Sequence, residues 1–246
     1  MSPSSKLDMQ EHITSPAKKQ FYVNQMFATI APRYDLVTTL LSYGQDRRWK
    51  RKLVDLADIQ PQHQVLDLAC GTGDITFLLA SRLDSRGKVI GVDITPGMVE
   101  VARCKGLHEP RVHFEIGDIC QLDYPDASFD RITVGYGVRN VPDIPQLMNE
   151  VFRLLRPSGH FLSLDFGKPE GRLYRRVYLG YLSATGSALG LLLHRDPDVY
   201  RYIAESIKHY PGQNGVMNMM GAAGFVGCGL VTFLGGAIAI NWGSRP

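Results

Sequence analysis

The chain has 246 residues, of which 44% are hydrophobic and 21% charged, and 27 Lys and Arg against 24 Asp and Glu leave a net charge of +3. That size fits one domain with a full core, and the composition excludes a disordered chain, a collagen, a coiled coil and a disulfide mini-scaffold. A surplus of +3 is no nucleic-acid footprint, although it permits mild affinity for an anionic membrane surface.

The first twenty residues carry no apolar stretch of the kind a signal peptide needs and read as a disordered or loosely docked tail. Residues 21–246 then form a single domain. It opens with a helical region over 21–60, in which FYVNQMFATIA and RRWKRKLVDLAD (opened by Asp46) are amphipathic, and Pro61 ends it. Strands and helices alternate from there. QVLDLA (64–69), KVIGVD (88–93), RVHFEIG (111–117), FDRITVGY (129–136) and GHFLSLDF (159–166) read as strands, with helices from Asp74 to Arg82, from Pro96 to Lys105 and over 143–155. Alternation of this kind specifies a parallel sheet with helices on both faces.

After Phe166 the alternation pauses over an insertion at 167–213. Its core, VYLGYLSATGSALGLLLH (Val177 to His194), has no acidic residue and reads either as a buried helix pair or as an apolar lid. A short helix follows at 214–223. The run FVGCGLVTFLGGAIAI is 16 residues long, short of the ~20 that span a bilayer. The pair Gly235-Gly236 splits it into two β-rich halves, which predicts an antiparallel hairpin. The expected fold is therefore α/β and Rossmann-like: a mainly parallel seven-stranded sheet with an antiparallel C-terminal hairpin. The apolar hairpin suits either a subunit interface in a homo-oligomer or burial within the monomer. Cys70, Cys104, Cys120 and Cys228 form no CxxC or ligand pair, which points to reduced thiols, a cytoplasmic protein and no metal.

The strongest local signal is VLDLACGTGD, Val65 to Asp74: an apolar strand, a Gly-rich turn and a helix start. Open α/β sheets bind ligands beyond the carboxyl ends of their strands. Asp93 lies twenty residues beyond Gly73, at the end of the second strand, where a carboxylate can take both hydroxyls of a ribose. Nicotinamide dinucleotides and S-adenosylmethionine both fit that outline. The dinucleotide fingerprint needs a third small residue where this chain has Thr76, and its pyrophosphate would meet Asp67 and Asp74 at a helix end that favours anions. A ligand with an ammonium, a sulfonium and no phosphate suits those acids better. Asp67 or its neighbouring backbone would hold the ammonium. Gly71 and Gly73 would let the backbone pass close to the ligand. Asp118, after the third strand, would accept from the adenine amine, with Ile119 against the ring.

Six segments extend this outline to nearly the whole chain. APRYD (31–35), YGQDRRWKR (43–51), VLDLACGTGD, VGYGVRNVPD (134–143), RLLRPSG (153–159) and YRYIAESI (200–207) resemble motifs of the ubiquinone/menaquinone biosynthesis C-methyltransferases, within the class I S-adenosylmethionine-dependent methyltransferases. Ser158 stands where the family usually has glycine, and Tyr136 where Phe is common. The resemblance implies methyl transfer from S-adenosylmethionine to a ring carbon of a prenylated quinol. The acceptor would be demethylmenaquinol, a benzoquinol of the ubiquinone pathway, or both. Another small aromatic acceptor, or a non-catalytic cofactor-binding partner, is the alternative.

On this resemblance Thr72, Ile94, Gly135 and Tyr34 join the cofactor set. Tyr34 and Trp49 would cap the cofactor, with Lys50 or Arg51 on its carboxylate. Arg139 would stabilise the phenolate electrostatically, since a guanidinium stays protonated. Asn140 would orient the same hydroxyl or a water, and Tyr202 or His194 would contact a quinol oxygen. The apolar stretch 177–193 would take the prenyl tail and touch the membrane peripherally, at its inner face.

Overall fold

The computed structural model describes residues 16–246, so the expected tail is outside the described residues up to position 15, and residues 16–20 begin a helix. Among the described residues three α-helices precede the sheet: α1 (Pro16–Ile30), α2 (Tyr34–Leu41) and α3 (Asp46–Leu56). The central alternation follows: β1 (Gln64–Leu68), α4 (Asp74–Ala80), β2 (Lys88–Asp93), α5 (Pro96–Lys105), β3 (Val112–Ile116), β4 (Phe129–Gly135), α6 (Ile144–Leu154) and β5 (Leu155–Phe166). The chain closes with α7 (Arg172–His194), α8 (Asp198–His209), α9 (Gly212–Ala222), β6 (Val226–Phe233) and β7 (Ile238–Ser244).

The seven strands lie in the order β3-β2-β1-β4-β5-β7-β6. The first five are parallel; β7 runs antiparallel between β5 and β6. The order reverses between β1 and β4, so the loops leaving these two strands diverge and open a crevice at their carboxyl ends. Asp67 pairs in register with Gly91 on one side and Thr133 on the other, deep in this seam.

Both sheet faces are covered. Leu66, Leu68, Ile132 and Val134 pack with Leu147, Met148 and Val151 of α6 and Val216 and Met220 of α9. On the other face Val65, Val89 and Leu162 pack with Leu53 and Val54 of α3 and Leu79 of α4. The hairpin takes part in that core, since Ile238 and Ile240 of β7 are buried in it. A third cluster stands off the sheet: Tyr22, Val23, Met26 and Ile30 of α1 meet Met98 of α5 and Val199, Tyr200 and Tyr202 of α8.

Two segments differ from the sequence-based expectation. The stretch 177–194 lies within one 23-residue helix, α7, whose partner α8 lies outside it. No helix among the described residues is long and apolar enough to cross a membrane. The second difference is α2, a separate helix where the sequence reads as one helical region. Ser158 takes φ +63°, a left-handed conformation that glycine adopts without the steric cost.

The α7–α8 contact depends on two missing side chains. A Cβ on Gly186 would lie 2.8 Å from the carbonyl oxygen of Tyr200, and one on Gly190 would strike that of Asp196. Gly180, on the exposed face, has nothing within 4 Å of that position. Gly190→Ala is therefore expected to cost about 1–3 kcal/mol by overpacking, while Gly180→Ala gains about 0.5–1 kcal/mol from helix propensity. Urea unfolding of the two variants checks the opposite signs.

Candidate active site: a donor cleft and an acceptor chamber with a common wall

The carboxyl ends of β1, β2 and β4, and the loop after β3, form a narrow cleft. Gly71, Asp93, Ile94, Asp118, Ile119 and Gly135 line it, with Tyr34 of the cap above. Gly71 has φ +54°; its N–H donates to Asp93 Oδ2 at 2.9 Å, and Thr95 N–H donates to Oδ1 at 2.8 Å. One bond to each oxygen fixes the carboxylate and leaves each a further lone pair. Burial pushes the Asp93 pKa up. Asp118 Oδ1 accepts from the Cys120 N–H at 2.9 Å, which turns the loop so that Ile119 is buried. Two carboxylates between apolar walls fit a ligand carrying ribose hydroxyls, an amine and an aromatic base.

Three expected cofactor residues do not line the cleft. Asp67 is 1% exposed and accepts from Thr76 Oγ1 at 2.7 Å and Thr133 Oγ1 at 2.8 Å. Its carboxylate ties β1 to α4 and β4, which corrects the reading that it holds the ammonium. Thr72 Oγ1 donates to Asp35 Oδ1 at 2.5 Å, so it fastens the cap. Gly73, at φ +89°, has no room for a side chain: a Cβ would lie 2.8 Å from Phe114 and 2.9 Å from Phe77. It shapes the turn that Gly71 presents.

The cap charges are also committed. Lys50 is buried and binds Asp46 at 3.1 Å and Asp74 at 2.8 Å. Burial opposes its charge, and Asp74 more than offsets it, so its pKa is raised. Asp74, the acid that reads as a bare negative charge at a helix start, also meets Lys105 at 3.4 Å. Lys50 is therefore not free for a cofactor carboxylate, and Arg51 is exposed.

Beside the cleft lies a chamber of about 480 Å³. Its walls come from the cap (Met26, Val37, Trp49), from α7 and α8 (Tyr178, Leu182, Ile203) and from the hairpin (Ile238). Few polar groups interrupt them. Arg139, 6% exposed, is held by Asp165: Nη1 donates to Oδ1 at 2.9 Å and the backbone N–H to Oδ2 at 3.1 Å. Its guanidinium lies 4.8 Å from the centre of the Phe166 ring. Burial disfavours the charge, but Asp165, with Tyr34 and Tyr202 behind it, raises the Arg139 pKa. Tyr202 is 1% exposed, and its hydroxyl has no hydrogen-bond partner among the described residues. Burial pushes its pKa up, more than Arg139 pulls it down, so it remains a neutral hydroxyl.

Arg139 and Tyr202 thus lie in one chamber, as the sequence suggests. Asn140 does not join them: it lines the cleft instead. His194 is not in the chamber wall; its Nε2 is 2.9 Å from the Tyr200 hydroxyl. Asp165 escaped the sequence reading, although an acid inside the apolar strand FLSLDF was a signal that something buried must pair with it. Phe27, Tyr34 and Tyr136 line both cavities. The two cavities are therefore neighbours, with these three residues bordering both.

A parallel sheet in this order, a Gly turn after β1, a carboxylate at the end of β2 and a reversed C-terminal strand define a class I S-adenosylmethionine-dependent methyltransferase. Solved structures share that fold. One is a SAM-dependent methyltransferase from Thermotoga maritima, described as a possible histamine N-methyltransferase. It has TM-score 0.64 and 18% identity over 90% of this chain and 99% of that one. Another is phosphoethanolamine N-methyltransferase 2 of Haemonchus contortus with S-adenosyl-L-methionine, with TM-score 0.61 and 15% identity over 81% of this chain and 52% of that one.

The chain belongs to the ubiE/COQ5 methyltransferase family, whose pattern matches residues 15–245. A demethylmenaquinone methyltransferase of Thermus thermophilus is 40% identical over 90% of this chain and 100% of its own length. A ubiquinone/menaquinone biosynthesis C-methyltransferase UbiE of Xanthomonas oryzae is 38% identical over 92% of this chain and 91% of its own. The protein is an S-adenosylmethionine-dependent methyltransferase.

The buried Asp67 gives a test by pH. Burial raises its pKa to about 6, against the hydrogen bonds of Thr76 and Thr133. Between pH 4 and 6 the unfolded chain loses this proton while the folded chain keeps it, so the group's contribution to stability falls as pH rises. The total is about 3 kcal/mol. Denaturant titrations should show Asp67→Asn gaining about that much relative to wild type between pH 4 and pH 7. A constant difference would contradict the assignment.

Proposed function

We propose that the chain methylates a ring carbon of a prenylated quinol: demethylmenaquinol, and by the same chemistry a benzoquinol of the ubiquinone pathway. The observation that carries this reading is the apolar chamber of about 480 Å³ sharing a wall with the cofactor cleft. A chamber so poor in polar groups suits an aromatic ring with a hydrocarbon tail, and Arg139 and Tyr202 supply the polar handles for its oxygens.

S-adenosylmethionine, bound in the cleft, supplies a methyl carbon activated by its sulfonium. Asp93 and Asp118 would accept from its ribose and adenine, with Ile94 and Ile119 beside the ring and Gly71, Gly135 and Tyr34 lining the rest of the cleft. In the chamber, Arg139 favours the phenolate without taking its proton, since the guanidinium stays charged. Ionisation puts electron density on the ring carbon beside the oxygen. That carbon is the nucleophile that would take the methyl group, the donor leaving as its neutral thioether, and the phenolic and ring protons would pass to solvent. Tyr202, neutral, donates to a quinol oxygen. The walls exclude water, which strengthens the field of Arg139, and the three common rings set the approach.

The mouth of the chamber is apolar outside as well as inside. Tyr43 is 77% exposed, Leu173 76%, Val177 61% and Leu234 60%, and the Tyr181 hydroxyl donates to that of Tyr43 at 2.7 Å. Arg172, Arg175 and Arg176 lie on the same first turns of α7. Apolar side chains beside arginines are the composition of a surface that rests on an anionic bilayer, and such docking would bring the tail of a membrane-dissolved quinol to the mouth. On this reading the protein works in the cytoplasm, peripherally at the inner face of the membrane.

Two measurements test these readings. With methyl-labelled S-adenosylmethionine, label should enter a ring carbon of reduced demethylmenaquinone and not of its oxidised form. Arg139→Ala should be slower by about 10²–10³-fold. Transfer to the oxidised form, or full activity in the variant, would sink the mechanism. In co-sedimentation with phosphatidylglycerol-containing vesicles, wild type should pellet and Leu173→Glu/Val177→Glu should remain in solution. Equal pelleting would remove the docking surface.

A further inference from the structure

Asn140 and Arg139 are neighbours in the short 3₁₀ turn Val138–Asn140, yet they line different cavities. One atom holds both. The carbonyl oxygen of Tyr136 accepts from Arg139 Nη1 at 2.5 Å and from Asn140 Nδ2 at 3.1 Å. The second bond settles the amide's orientation, because the flipped amide would set two oxygens against each other. Asn140 Oδ1 is buried and has no hydrogen-bond partner among the described residues. Buried acceptors of this kind are rare, because leaving one unpaired costs free energy.

The amide is not needed to satisfy the carbonyl, since Arg139 already does so. What the Nδ2 bond does is hold the amide in one orientation, leaving Oδ1 as its unused acceptor. Its surroundings are those of the cofactor: Asn140 shares the cleft wall with Asp118, Ile119 and Cys120. We propose that Asn140 is a recognition residue for the methyl donor, its Oδ1 accepting a hydrogen bond from an N–H or O–H of S-adenosylmethionine. This rests on the reading of the cleft as the donor site.

The chemistry explains the residue type. The donor presents an adenine amine, ribose hydroxyls and an ammonium, all of them hydrogen-bond donors. The cleft answers with acceptors. Asp93 and Asp118 are already two carboxylates, and a third would repel both; an amide oxygen adds an acceptor without a charge. Asn140 therefore belongs to donor binding, and the adjacent Arg139 to the acceptor.

Calorimetric titration with S-adenosylmethionine and S-adenosylhomocysteine tests this without turnover. The proteins are wild type, Asp93→Ala, Asn140→Leu and Asn140→Ala, each with its ligand-free melting temperature. Both Asn140 variants should bind both ligands at least 10-fold more weakly. Their melting temperatures should stay within a few degrees of wild type, because the lost oxygen has no partner in the chain. In steady-state kinetics the KM for the donor should rise and that for the acceptor should not.

If wild type binds, Asp93→Ala binds weakly and the Asn140 variants bind as wild type does, the inference is wrong and the donor cleft stands. If the variants keep donor affinity but lose kcat, Asn140 acts on the acceptor side and the inference is equally wrong. Failure of wild type to bind either ligand would overturn the cleft and the inference together.

Discussion

The buried pair between Arg139 and Asp165 is the constraint around which the site is arranged. Taking two charges out of water costs several kcal/mol per ion, and apolar side chains of similar volume often hold a fold as well or better. Here the carboxylate accepts the guanidinium at 2.9 Å and the backbone N–H of Arg139 at 3.1 Å, so both of its oxygens hold the arginine. Its product is a fixed cation in the floor of an apolar chamber. A unit charge 4 Å away is worth about 1 kcal/mol in water and about 4 kcal/mol at an effective dielectric of 20. Asp165 cancels part of that field, but the guanidinium is the member of the pair in the chamber wall.

The same pair fixes the loop that separates the two cavities. Tyr136, at φ +58°, turns its carbonyl to Arg139 and Asn140 and presents its ring to both cavities. Phe27 and Tyr34 come to that wall from the cap, and the cap is itself fastened to the sheet by ions. Asp35 takes Thr72 and Lys105, and Asp74 takes Lys50 and Lys105. The cofactor turn, the cap and the chamber are thus parts of one connected arrangement. Gly71 can face the cleft because Asp67 anchors the strand beneath it and Gly73 lets the helix begin.

Much of this was legible in the sequence because it follows from short-range pattern. The alternation from Val65 to Phe166, the Gly-Gly split of the hairpin, Asp93 and Asp118 at strand ends and the GxG turn are all local. Asp67, Thr72 and Lys50 are different. Each is chemically suited to a ligand, and each is taken by a partner that only the fold brings near: Thr133 lies 66 positions from Asp67, and Asp35 lies 37 from Thr72. The sequence showed the right acids but not which were already spent. That Asn140 lines the cleft and not the chamber has a related reason. In a tight turn adjacent side chains diverge, so nearness to Arg139 in sequence says nothing about which cavity each one lines.

The account depends on the donor and acceptor meeting where cleft and chamber adjoin, beside the three aromatic residues that border both. A crystal structure of the protein with S-adenosylhomocysteine and a short-tailed quinone tests this most directly. The homocysteine sulfur should lie between Gly71 and Gly135, and the quinone ring in the chamber beside Arg139 and Tyr202, with Phe27, Tyr34 and Tyr136 touching both. A quinone bound outside the chamber, or a nucleoside bound within it, would contradict the account.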